Sequence, residues 1–268
     1  MTDDSDLISL NLPGKGETEI EYRFIDAESR HTPLVVFLHE GLGSAAMWKD
    51  FPERLCNAAG VRGLVFSRPG YGRSSPRSDG ERWGVDFMHF QARKVLPALL
   101  AELRIDCAAS PPVLFGHSDG ASIALLYAAS FPGRVSGLIV LAPHLFVEAI
   151  SIESIRKARQ AYLETDLRTR LARYHADPDS AFWGWNDIWL DPEFSAWNIE
   201  HEVTKIKVPV LAMQGVNDEY GTMEQVHRIS EICGGCQVVE IPDCGHSPHR
   251  DQAETVLAQA GRFIRNLF

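Results

Sequence analysis

Basic residues are in short supply in this sequence: 26 Lys and Arg stand against 36 Asp and Glu, a formal net charge of -10. A surface of that average sign repels phosphate backbones and anionic lipid headgroups, so neither nucleic acid nor a membrane is an expected partner. Cysteine is sparse too. Cys56, Cys107, Cys233, Cys236 and Cys244 are an odd number spread over 268 residues, which is not the disulfide framework of a small secreted domain. No apolar run approaches the roughly 20 residues of a membrane-spanning helix. The opening MTDDSDLISL carries acids where a secretory signal would carry Lys or Arg, and a soluble, cytoplasmic chain is expected. Internal repeats and low-complexity linkers are absent. What remains is ordinary globular composition, 45% hydrophobic and 23% charged, at a length that suits one large α/β domain or a core carrying an insertion.

Short apolar runs alternate with longer amphipathic stretches. Residues 6–12 and 18–25 alternate apolar and polar side chains around Gly14-Lys15-Gly16, which predicts a hairpin with one exposed face and hence an antiparallel edge. LVVFLH after Pro33, GLVFS, VLFG at 113–116, GLIVLA at 137–142, VPVLAMQ at 208–214 and QVVEI at 237–241 are continuous apolar runs. Such runs suit a parallel sheet covered on both faces. Between them the spacing predicts helices from about Met47 to Ala59, Asp86 to Leu103 with a kink at Pro97, Ala121 to Ser130, Met223 to Ile232 and Gln252 to Leu267. The rhythm breaks between about His144 and Lys207. This stretch has no convincing strand, holds Trp183, Trp185, Trp189 and Trp197, and reads as a helical insertion.

The most specific chemical signal is Gly116-His117-Ser118-Asp119-Gly120, a G-x-S-x-G sequence directly after one predicted strand and before one predicted helix. At such an elbow the flanking residues must be small and the serine hydroxyl is held out above the sheet. A serine hydroxyl is a weak nucleophile at neutral pH. It needs a base, and the base needs an orienting acid. Asp218 follows VPVLAMQ and His246 follows QVVEI, each at a carboxyl-terminal strand end where sites gather in open α/β sheets. The chain order Ser118, Asp218, His246 is the one that accompanies this elbow.

With His39-Glu40-Gly41-Leu42-Gly43-Ser44 after the third strand and Arg68-Pro69-Gly70-Tyr71-Gly72-Arg73-Ser74 after the fourth, the sequence resembles the α/β-hydrolase superfamily over nearly its whole length, in the subgroup carrying a helical cap. The resemblance implies an eight-stranded, mostly parallel sheet with helices on both faces, a core of residues 1–143 and 208–268, and a cap of 144–207 inserted after strand 6. It also implies oxyanion donors, the N-H of Gly41 and that of Asp119. Relatives commonly carry Gly where this chain has Glu40. The activity implied is hydrolysis of a carboxylic ester or related activated acyl compound, a small molecule, with no metal or organic cofactor. C-C bond hydrolysis of aromatic ring-cleavage products, thioester or lactone hydrolysis, and a non-catalytic receptor on the same scaffold stay open. Ser118 disfavours the branches that use an aspartate nucleophile.

The remaining candidates each have a bland alternative. Glu40 is expected to face solvent, or else to set a carboxylate near the pocket. Asp119 suits the start of a helix through the dipole, its amide being the functional part. Asp243, Glu219 and Glu148 are substitutes for Asp218. His39 and His117 read as structural or pocket-lining, His144 as pocket-lining or packed, and His249 as exposed. Cys233-Gly-Gly-Cys236 lacks the second ligand pair a zinc site needs. Trp183, Trp185 and Trp189 are candidate walls of an apolar substrate chamber, some of them in contact with substrate.

Overall fold

The computed structural model describes residues 5–26, 32–78 and 80–268. Two strands, β1 (Asp6–Leu12) and β2 (Gly16–Ile25), form the expected hairpin. After β3 (Leu34–Leu38) and a 3-10 turn (Ala45–Trp48) come α1 (Phe51–Ala59), β4 (Arg62–Phe66), α2 (Phe87–Phe90), α3 (Leu96–Glu102), β5 (Val113–His117), α4 (Asp119–Ser130) and β6 (Gly137–Leu141). Helices then run without a strand through α5 (Ala149–Glu164), α6 (Leu167–Leu171), α7 (Pro178–Trp189) and α8 (Glu200–Val203). The chain closes with β7 (Val210–Gly215), α9 (Glu224–Ile232), β8 (Cys236–Ile241), α10 (Pro248–Asp251) and α11 (Ala253–Leu267). No helix among the described residues is long and apolar enough to cross a membrane.

One eight-stranded sheet has the order β1-β2-β4-β3-β5-β6-β7-β8. Only β2 runs against its neighbours; β4 through β8 pair in parallel. Side chains alternate across the sheet, as the two-residue period of a strand requires. Val36, Leu38, Leu114, Val140 and Ala212 pack on one face with α2, α3 and α4, whereas Val35, Phe37, Phe115, Leu141 and Met213 pack on the other with α1 and α11. Burial on both faces explains why β3, β5 and β6 are apolar throughout rather than alternating. Helix α4, buried from Asp119 through Ala129, is the central support beneath the sheet's carboxyl-terminal edge.

Two predicted helices differ in detail. The stretch expected as one helix from Met47 is broken at Lys49, whose φ is 53°, and α1 restarts where Pro52 is tolerated in the first turn. The segment before Pro97 is not a simple proline kink. Residues Gln91–Val95 form a π turn in which Leu96 N-H donates to Gln91 O, widening the helix just where the proline ring needs room.

Candidate active site

The loops after β5, β7 and β8 meet above the sheet edge. Ser118 is the turn between β5 and α4, with φ 52° and ψ -121°, a region that a non-glycine residue occupies only under constraint from its surroundings. Its N-H is tied to Leu141 O at 2.9 Å. A Cβ at Gly116 would strike the Gly120 carbonyl and the Ala121 backbone, and one at Gly120 would strike the Leu38 carbonyl, so strand and helix approach each other only because both positions are glycine. The sharp elbow lifts Ser118 Oγ to 2.9 Å from His246 Nε2.

On the other side of the ring, His246 Nδ1 lies 2.8 Å and 3.0 Å from the two Asp218 oxygens. A carboxylate only accepts, so Nδ1 carries the hydrogen and Nε2 is left to accept from the serine hydroxyl. Asp218 is itself held by donors: Tyr220 N-H at 2.8 Å, Gly221 N-H at 3.3 Å and Gln214 Nε2 at 3.2 Å. Burial is the largest single influence on both titrating groups, opposing the charge on each. For Asp218 it is outweighed by the hydrogen bond and charge of His246 and by the Tyr220 amide, which hold the carboxyl below its usual range. For His246 the bond and charge of Asp218, with Glu219 and Glu40, overcome burial and raise its pKa.

Two of the substitutes for Asp218, Glu148 and Glu219, are occupied elsewhere. Glu148 accepts from Thr222 N-H, Thr222 Oγ1 and Gln225 Nε2. Glu219 accepts from the backbone N-H of His246 at 3.1 Å, and thus touches the base's main chain rather than its ring. Asp243 is exposed, and Gln252 Nε2 donates to its main-chain carbonyl rather than to its carboxylate. Among the described residues, no hydrogen bond occupies the N-H of Gly41 or of Asp119, the first residue of α4 and so an orphan donor at a helix N-terminus.

The candidate pocket residues separate. Trp185 packs against Gly41 so closely that a Cβ there would overlap its indole Nε1 and Cδ1. Trp189 Nε1 donates to Asp119 Oδ1 at 3.2 Å, and its ring meets His144 edge-on at 4.8 Å. His144 is buried, stands 5.8 Å from the His246 ring, and has a pKa pushed down to about 3 by burial first and then by His246. Trp183 is not part of this group: it packs on Tyr162 and Phe182 under the Arg159 guanidinium. Helical periodicity sends positions 185 and 189, four residues apart, to one face of α7 and turns 183 away.

Of the two readings open for Glu40, packing selects the inward one: its carboxylate, still partly exposed, turns to 3.4 Å from His117 Nδ1. Two expectations are corrected. His249 is not a free surface residue but packs its ring on Trp48 at 4.7 Å and His117 at 4.8 Å. Asp119 is more than a helix-start acid: it is fully buried, 3.9 Å from Arg68 Nη2, and burial pushes its pKa up to about 6 against the pull of Arg68 and Trp189. Arg68 had no assigned role from sequence. It is 1% exposed, donates to the Glu40 carbonyl at 2.8 Å and lies over the Tyr71 ring, bracing the loop that carries Gly41. A buried arginine is rare, but nothing in the order Arg68-Pro69-Gly70 tells which way its side chain turns.

Among the described residues no cluster of three or more His, Cys, Asp or Glu could hold a metal ion. The arrangement is a proton-relay chain ending on a hydroxyl. Sheet order, elbow and relay together define a hydrolase fold, and the comparisons agree: residues 35–260 match the model of the alpha/beta hydrolase family. The chain belongs to that family. It is 25% identical over 260 residues to a 2-hydroxy-6-oxo-6-phenylhexa-2,4-dienoate hydrolase of Burkholderia cepacia, covering 87% of each chain. It is 24% identical over 216 residues to the Homo sapiens monoglyceride lipase, covering 74% of this chain and 69% of that one. In three dimensions it resembles a thermophilic esterase from Thermogutta terrifontis, with a TM-score of 0.72 at 20% identity over 98% of this chain and 99% of the other. A meta-cleavage product hydrolase from Pseudomonas fluorescens IP01 gives the same TM-score at 14% identity over 97% and 98%.

Proposed function

We propose that this alpha/beta hydrolase is a serine hydrolase of small carboxylic esters or related activated acyl compounds. The observation that carries the reading is the unbroken relay Ser118 Oγ to His246 Nε2 at 2.9 Å and His246 Nδ1 to Asp218 Oδ1 at 2.8 Å. His246 takes the proton as Ser118 Oγ bonds to the substrate carbonyl carbon, and the carbonyl oxygen becomes an oxyanion facing the N-H groups of Gly41 and Asp119. The C-O bond to the leaving group then breaks as His246 returns the proton to it. Water repeats both steps on the acyl-enzyme and restores the serine. Asp218, held ionised by its donors, keeps the ring in the useful tautomer throughout.

Residues 144–207 serve as a cap in this reading, supported by Trp185 against Gly41 and Trp189 against Asp119. Trp185, Trp189 and His144 then form the walls of the acyl pocket. C-C hydrolysis is the second reading, favoured by the relatives named as dienoate hydrolases. Labelling with a fluorophosphonate tests the first step: rapid modification of Ser118, lost in Ser118→Ala, is expected, whereas inert protein that still binds ligand would make this a receptor. Turnover on matched ester, thioester, lactone and ring-cleavage substrates separates the enzymatic readings.

A further inference from the structure

One layer behind the relay, a second carboxylate faces a second imidazole, Glu40 against His117, at a longer separation than Asp218 and His246. His117 is the last residue of β5, directly before Ser118, and is 1% exposed. Its Nε2 lies 2.6 Å from the backbone carbonyl of His246. A carbonyl only accepts, so this nitrogen bears a hydrogen and donates. The ring's other nitrogen, Nδ1, faces Glu40 Oε2 at 3.4 Å and is buried without a hydrogen-bond partner. The imidazole is packed among rings: His246 at 5.2 Å, His249 at 4.8 Å and Trp48 at 6.5 Å.

Glu40 is fixed in turn. Its carbonyl accepts from Arg68 Nη2 at 2.8 Å and from His39 Nδ1 at 2.7 Å, and its carboxylate lies over Gly43 so closely that a Cβ there would overlap it. It also directly precedes Gly41. One carboxylate-imidazole pair therefore joins the three loops that the reaction needs: the oxyanion loop, the nucleophile strand and the loop of the base. The main chain of His246 is gripped on both sides, its N-H by Glu219 at 3.1 Å and its carbonyl by His117. Without the His117 bond, half of that grip is gone, and misplacement of a reacting group by about 1 Å costs on the order of 100-fold in rate.

We propose that Glu40 and His117 are positioning residues that set His246 against Ser118 while holding the oxyanion loop in register. The inference rests on the serine-hydrolase reading and adds to it a role for the residue that stands where relatives commonly have glycine. The pair acts on the rate of bond formation at Ser118 and leaves substrate binding to the cap face. Outer partners of metal-ligating histidines have effects of about 10- to 100-fold, which sets the expected scale here.

The test compares His117→Phe, His117→Gln, Glu40→Ala and Glu40→Gln in the intact chain. It measures kcat and KM on p-nitrophenyl butyrate per titrated active site, and the rate of fluorophosphonate attachment to Ser118. His117→Phe is expected to lower kcat and labelling about 10- to 100-fold with KM within about twofold. His117→Gln, whose amide Nε2 reaches toward the same carbonyl, is expected to recover most of the loss, and Glu40→Gln to exceed Glu40→Ala. Parent-like kcat and labelling in His117→Phe, or losses in Phe and Gln variants that only track the fraction of folded protein, overturn the positioning role. A parent inert to the probe overturns the hydrolase reading and this inference with it.

Discussion

Trp189 Nε1 donates to Asp119 Oδ1 across 3.2 Å, and so fastens the helical segment between β6 and β7 to the residue that follows Ser118. Both partners are buried, and Asp119 also faces Arg68 at 3.9 Å. The acid thus anchors the indole through its carboxylate while its amide N-H stands at the start of α4.

Ionising that carboxylate is costly. Its pKa is about 6 when folded, from 3.8, chiefly because burial disfavours the charge. The folded value being the higher, the stability Asp119 contributes is whole below about pH 4 and is lost as pH rises through about 6. A difference of that size corresponds to about 3 kcal/mol. Asp119→Asn cannot ionise and keeps an oxygen for Trp189. Its melting midpoint relative to the parent is expected to rise between pH 4 and pH 7; a difference flat across that range would contradict the buried-charge account.

The relay makes a graded prediction. Ser118→Ala and His246→Ala are expected to remove turnover by on the order of 1,000-fold or more while far-ultraviolet circular dichroism stays parent-like. Asp218→Asn is expected to be similarly harmful because its amide cannot hold the ring in the useful tautomer. Glu148→Gln, whose partners are Thr222 and Gln225, is expected to stay within a few-fold of the parent. Reversal of the last two would move the orienting acid.

A raised pKa on His246 places the acid limb of kcat/KM above the ordinary histidine value of about 6.5, since only the neutral ring accepts the serine proton. Activity falls as pH drops through that limb. Initial rates between pH 5 and 9 measure it, and a midpoint below about 6 would mean that Asp218 and Glu219 fail to outweigh burial.

Gly120→Ala tests the elbow itself. The new Cβ would meet the Leu38 carbonyl, a backbone atom of β3 that cannot swing aside. Overpacking of this kind costs about 1–3 kcal/mol or more, so the melting midpoint should fall by roughly 5 °C. An unchanged midpoint would show that strand and helix can separate freely.

Trp185→Ala uncovers Gly41. If the indole is a wall of the acyl pocket, the ratio of kcat/KM for an octanoyl over an acetyl p-nitrophenyl ester rises by on the order of tenfold, the discrimination a methylene or two commands in an apolar pocket. A constant ratio would remove Trp185 from the pocket.

Much of this molecule was legible in one dimension because its rules are local. Continuous apolar runs specify strands buried on two faces, and glycines at 116 and 120 specify an elbow whose backbone needs the space. Ser118, Asp218 and His246 each follow a strand, so their place at one sheet edge comes with the topology. The π turn before Pro97 was not legible, because proline forbids a regular helix without dictating which irregular one replaces it.

Side-chain direction was the other gap. Whether Glu40 faced solvent or the pocket was left open, and it points at His117; His249 was expected on the surface and packs on Trp48; Trp183 and Trp185, two residues apart, go to different neighbours. The pattern of residues along the chain determined the sheet and the elbow, and it put Ser118, Asp218 and His246 at the ends of strands, since each obeys spacing and small-residue constraints within one segment. Only the folded molecule decided which carboxylate meets which imidazole. Those encounters join residues 28 and 77 positions apart, and the competition among burial, charge and hydrogen bonding that orients them exists only once the loops are together.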